Sequence, residues 1–111
     1  MTAPIVAAVQ MTSVADVARN LETARRLLAR AREGGACLAV LPENFSFMGR
    51  SEAERRAVVE ADGDGPVQRA MAACARELGL WIIAGTQPIA VAGEAPRSRA
   101  ASGTRSSVTS I

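Results

Sequence analysis

The sequence predicts an α/β fold built on a parallel sheet, and three features carry that reading. Short apolar runs without polar alternation recur at residues 5–9, 37–41 and 80–84, the pattern of strands covered on both faces. Amphipathic stretches with apolar residues at helical spacing lie between them. The order strand, helix, strand, helix, strand then implies parallel pairing through right-handed crossovers. With 111 residues, 49% hydrophobic and 22% charged, the chain is one small domain at most, or part of a larger one.

Each element follows from local chemistry. Ile5-Val6-Ala7-Ala8-Val9 is the first strand, and Ser13, three residues before Asp16, signals a helix start. Val17, Leu21, Ala24, Leu28 and Ala31 form an apolar stripe among Arg19, Glu22, Arg25, Arg26 and Arg30, until Gly34-Gly35 stops the helix. Cys37-Leu38-Ala39-Val40-Leu41 is the second strand, ended by Pro42, and Glu43-Asn44-Phe45-Ser46-Phe47-Met48-Gly49 is a loop rich in large side chains. Ser51 and Glu54 suit a capping box for a short helix ending near Glu60. Asp62-Gly63-Asp64-Gly65 is a turn, and Pro66 fits the first position of a helix that buries Val67, Met71, Cys74 and Leu78 before Gly79 caps it. Leu80-Trp81-Ile82-Ile83-Ala84 is the third strand, leading to Gly85-Thr86-Gln87-Pro88. Residues 97–111 hold only Val108 and Ile111 as sizeable apolar side chains. They are expected to form a disordered or weakly structured tail, with residues 107–111 available as a poor edge strand.

Composition narrows the chemistry. There is no His and no Tyr, and all 13 basic residues are Arg. That excludes Ser-His-Asp and Cys-His catalysis, His-ligated metal sites, Schiff bases and the P-loop lysine. The net charge of +2 comes with 11 interleaved acids, a solvated surface rather than a nucleic-acid footprint. Two cysteines fit a reducing compartment, the N-terminus lacks a basic signal-peptide region, and no apolar run approaches the ~18 residues of a membrane span. The cytoplasm is the expected location. No cofactor, metal, nucleic acid or membrane partner is expected.

Few residues remain that could act. Glu43 directly follows a buried parallel strand, where α/β ligand sites gather, and packing beside Phe45 and Phe47 would desolvate its carboxylate and raise its pKa as a general base requires. The bland alternative is a loop acid in water. Cys37 and Cys74 are the strong nucleophiles, but one opens a buried strand and the other lies on an inward helical stripe, so both read as small core hydrophobes. Asp62 and Asp64 would repel a phosphate at the third helix and more readily complement its dipole themselves. Arg97, Arg99 and Arg105 lack interleaved aromatics for stacking on RNA.

Several separated motifs resemble the nitrilase superfamily of carbon–nitrogen hydrolases over roughly residues 4–93: Ala7-Ala8-Val9-Gln10-Met11, Asn20-Leu21, Gly35-Ala36-Cys37-Leu38-Ala39-Val40-Leu41-Pro42-Glu43, Asp62-Gly63-Asp64-Gly65-Pro66 and Gly79-Leu80-Trp81-Ile82-Ile83-Ala84-Gly85-Thr86. Glu43-Asn44-Phe45 followed by Gly85-Thr86 is most similar to the Nit amidase branch, whose members hydrolyse amides such as deaminated glutathione or ω-amides of 2-oxo acids. The resemblance implies the N-terminal part of an α-β-β-α sandwich, here incomplete, with residues 1–96 in that domain and 97–111 as a divergent tail. It also implies a Glu-Lys-Cys triad without cofactor or metal, of which Glu43 matches the glutamate; no lysine exists here, and neither Cys37 nor Cys74 stands in the nucleophile's motif. The expectation is a truncated or frame-shifted fragment that is inactive alone, with a small amide as the family's substrate. An uncovered sheet face and edge favour self-association through the edge. The alternative from another class is a non-catalytic α/β binding or assembly module, holding a small anion at the third helix's start or pairing through its edge.

Overall fold

The structure, a computed structural model, describes residues 3–90, 97–103 and 108–110. Its sheet begins with β1 (Ile5–Ala8), joined through α1 (Val17–Glu33) to β2 (Ala36–Val40). The short α2 (Glu52–Ala57) and two-residue β3 (Glu60–Ala61) precede α3 (Pro66–Leu78) and β4 (Trp81–Ala90). Two further strands follow, β5 (Arg97–Gly103) and β6 (Val108–Ser110). The order across the sheet is β1-β2-β4-β5-β6, with β3 beside the far end of β4. β1, β2, β3 and β4 pair in parallel as the strand–helix alternation required, whereas β5 and β6 pair antiparallel.

The long helices form where the stripes predicted them. Asp16, rather than Ser13, caps α1, its carboxylate accepting from Arg19 N at 3.1 Å. Ala24 and Leu28 of α1 and Val67, Met71 and Cys74 of α3 pack against Ala39 of β2 and Ile82 and Ala84 of β4, with Leu41 and Phe45 closing the core. Gly79 ends α3 in the left-handed conformation expected of it. Among the described residues, no helix is long and apolar enough to cross a membrane.

Three expectations change. α2 stops at Ala57, three residues before Glu60, which lies in β3 instead. The strands are covered by helices on one face only: Val6 is 57% exposed and Trp81 52%, and their register partner Leu38 is half-buried. The apolar runs signalled this second face correctly as apolar, but what would bury it is not among the described residues. Residues 97–103, expected as weak structure, run along β4 because an unpaired strand edge orders a neighbour through backbone hydrogen bonds whatever its side chains.

One close approach fixes how the loop after β2 sits. β4 passes under Pro42 at Gly85, whose φ is 52° and whose position leaves no space for a side chain: a Cβ there would stand 2.0 Å from the Pro42 carbonyl oxygen and 2.9 Å from that of Leu41. Leu41 N donates to Ile83 O at 2.8 Å just before this crossing. Gly85→Ala is therefore expected to cost about 3–5 kcal/mol, combining overpacking with left-handed strain. Gly63→Ala, where a Cβ meets nothing within 4 Å, carries the backbone strain alone, about 1–2 kcal/mol. Urea midpoints of the two variants check this, and equal losses would mean that the crossing relaxes freely.

Candidate active site

Glu43 begins the turn that follows β2, at the carboxyl end of a parallel strand. Its neighbour Asn44 has φ 56°, a conformation that a short polar side chain tolerates, and its N–H donates to Thr86 Oγ1 at 3.0 Å. The backbone on either side of Glu43 is thus gripped by β4, through Gly85 on one side and Thr86 on the other. Glu43 itself is exposed. The desolvation expected from Phe45 and Phe47 does not occur, because both rings turn inward and are buried, at 0% and 8% exposure, rather than lying against the carboxylate.

A second clamp holds the far end of the loop. Asn20, 1% exposed on the inward face of α1, accepts from Val14 N at 2.9 Å and donates to Val14 O at 2.7 Å and Ser46 O at 2.8 Å. Ser13 donates its hydroxyl to Phe45 O at 2.7 Å, and Met48 N donates to Val14 O at 3.2 Å. The loops after β1 and β2 are stitched together over one buried amide, which would leave several polar groups unpaired if removed. The signal was present in the sequence: Asn20 is a polar residue on the helical face that carries Val17, Leu21 and Ala24.

Glu60 is the other residue that sequence reasoning missed. Its buried carboxylate accepts from Val67 N at 2.7 Å, Gln68 N at 3.2 Å and Gln68 Nε2 at 3.0 Å, with Gln87 Nε2 at 3.4 Å. Pro66 has no N–H, the cap residue Gly65 has no side chain, and Arg69 N bonds to Gly65 O. Glu60 therefore supplies the negative end that α3 needs, from outside the helix. A Cβ on Gly65 would come within 2.3 Å of the Glu60 carboxyl carbon, so the glycine makes room for it. Of the two aspartates expected in that role, Asp64 instead forms an exposed ion pair with Arg69. With its first amides taken, the start of α3 has no free donors for the small anion that the binding-module reading placed there.

The cysteines divide. Cys74 is buried at 3% exposure, as expected, and burial pushes its thiol pKa up against the opposing pull of Arg25. Cys37 is exposed, not a core hydrophobe. It lies beside the edge strand β1, where Ile5 and Val6 also stand in water, and its thiol approaches Ile5 O at 3.4 Å. Among the described residues, neither thiol is hydrogen-bonded to Glu43. Among the described residues, no three His, Cys, Asp or Glu side chains cluster as a metal site. A thiol-reactive disulfide reagent at neutral pH should label Cys37 alone in the native chain and both cysteines in denaturant. Rapid labelling of two thiols without denaturant would contradict the buried place of Cys74.

The chain matches the carbon–nitrogen hydrolase family over residues 5–100. It is 42% identical over 82 residues to the human deaminated glutathione amidase, covering 74% of this chain and 25% of that one. The corresponding enzyme of Synechocystis is 36% identical over 94 residues, covering 85% and 34%. The crystal structure of the C. elegans NitFhit protein superimposes with a TM-score of 0.75 at 24% identity, over 87% of this chain and 24% of that chain, a likeness of fold. The chain thus spans a quarter to a third of the length of these curated relatives. Taken with an α/β sheet that sets a glutamate directly after its second parallel strand, the match over residues 5–100 places the chain in the carbon–nitrogen hydrolase family.

Proposed function

We propose that residues 1–96 are the glutamate-bearing N-terminal part of an amidase that hydrolyses small amides of the deaminated-glutathione or ω-amide type, and that residues 97–111 diverge from that domain. The observation that supports it is the placement of Glu43, held on both sides by Gly85 and Thr86 of β4 at the mouth of the sheet. In this reading Glu43 is the general base and acid. It takes the proton of a cysteine thiol as sulfur bonds to the amide carbonyl carbon, then gives it to the departing nitrogen as the C–N bond breaks and ammonia leaves. A lysine holds the oxyanion. Glu43 next deprotonates the water that splits the thioester, which returns the thiol and yields a carboxylic acid. Neither lysine nor that cysteine is among these 111 residues, since Cys37 lies in β2 and Cys74 in the core. Two unpaired cysteines suit a reducing cytoplasmic setting.

The chain alone is expected to release no ammonia from small amides. Translating the encoding DNA in three frames past codon 90 should recover a strand, a lysine and a cysteine motif of the family. In the protein so extended, Glu43→Gln should lower kcat by about 10²–10⁴. An extended protein that keeps its kcat with Glu43→Gln would overturn the role given to Glu43.

The same open architecture supports pairing of two copies along β1, the edge strand where Ile5 and Val6 are more than half exposed. Sedimentation should show a mass that rises with concentration, and Val6→Lys should shift it to the monomer. A monomer at every concentration would rule the pairing out.

A further inference from the structure

We infer that the bare face of the sheet binds a second copy of this chain, face to face about a two-fold axis running along β2. The contact is independent of the catalytic reading of Glu43 and distinct from pairing along the β1 edge. Strand register sets out the face. Ala7, Ala39, Ile82 and Ala84 point toward the helices and the core, so the alternate residues point away from them. Val6, Leu38 and Trp81 thereby form one row across β1, β2 and β4, and Ala8, Val40 and Ile83 form the next. Ser102 of β5 and Thr109 of β6 continue the second row in register. No charged residue stands at any of these positions, in a chain of which 22% is charged. The two rows on β1, β2 and β4 leave roughly 300–400 Å² of apolar surface open, a size at which a patch on a monomer marks a contact.

Two properties select a second copy. A two-fold contact sets a surface against itself, so any charge on it would meet its like, and this face carries none. Its relief is also uneven: the β4 side bears Trp81 and Ile83, the β1 side the smaller Val6 and Ala8. An axis along β2 lays Trp81 over Val6 of the second copy and Ile83 over its Ala8, while Leu38 and Val40 each meet their own counterparts. Large then faces small on both sides, and the sheets keep an even spacing of about 10 Å. An axis across the strands would instead set Trp81 over Ile83 and Val6 over Ala8, crowded on one side and gapped on the other. Doubled, the patch gives about 600–800 Å² of apolar contact, at the low end for specific pairs, so the dimer dissociates on dilution. Its layers run helices, sheet, sheet, helices.

Pairing along the β1 edge would leave Trp81 two strands away from the contact, so substitution there separates the two modes. Sedimentation equilibrium of the 111-residue chain should show a species of twice the monomer mass that gives way to monomer on dilution. Trp81→Arg and Val6→Glu should each weaken that dimer about tenfold or more, the effect of a charge placed inside an apolar contact. Both sites are more than half exposed, so the helical circular dichroism should not change. Mixed in equal amounts, the two variants should recover a one-to-one dimer, because the introduced arginine then faces the introduced glutamate. That recovery also shows that both variants fold. A wild-type chain that stays monomeric at every concentration overturns the second copy as occupant of the face. Association of Trp81→Arg at wild-type strength overturns the face-to-face contact and leaves edge pairing standing. Recovery of Trp81→Arg by Ile83→Glu in place of Val6→Glu overturns the axis along β2, and recovery by neither overturns the two-fold arrangement.

Discussion

Two backbones meet where β4 passes Pro42, and nothing larger than hydrogen fits between them. The rest of the site depends on that contact. Because Gly85 yields its side-chain space to a carbonyl, β4 can lie close enough for Thr86 to take the N–H of Asn44, and the left-handed turn at Asn44 then has a partner that offsets its strain. The loop is consequently held through its own backbone groups, by Gly85, Thr86, Ser13 and Asn20, and among the described residues by no hydrogen bond of Glu43 itself, which leaves the carboxylate free of structural duty. A reacting group benefits from this division, since its own hydrogen bonds are not needed to keep the fold together.

The sequence made some of this legible and hid the rest for identifiable reasons. α1 and α3 could be read because their stripes and the Gly79 cap are local signals, settled within a few residues. Asp16 took the cap in place of Ser13 for the opposite reason: both suit a helix start, and Ser13 is drawn away by a carbonyl 32 residues further on. Glu60 was invisible as a cap because capping rules look at residues adjacent to a helix, whereas it reaches α3 from a strand of its own. Cys37 was misread because an apolar run does not reveal that one face of its strand lacks a covering layer. In each case the missing term was a partner distant in sequence, or a layer not found among the described residues.

Charge is distributed unevenly between scaffold and site. Buried in the scaffold, Glu60 is met by amide donors from α3 and β4, a compensation that lets a carboxylate remain inside. At the loop, Glu43, Arg50 and Glu52 stand in water. The same residue type is thus structural in one place and open to solvent in the other. The surroundings decide which: Gly65 shapes a niche around the first, and no comparable niche closes on the second.

The uncovered face of the sheet has an optical consequence. Trp81 is the chain's single tryptophan, no tyrosine accompanies it, and it projects half-hydrated from the strand at the centre of that face. Ultraviolet emission from this chain therefore comes from one indole at one place. It has the long-wavelength maximum of a wet ring while the face is bare, and it moves to shorter wavelength when any layer settles on β2 and β4. The fold carries a built-in gauge of its own completion, readable without a label and without knowing in advance what the covering layer is.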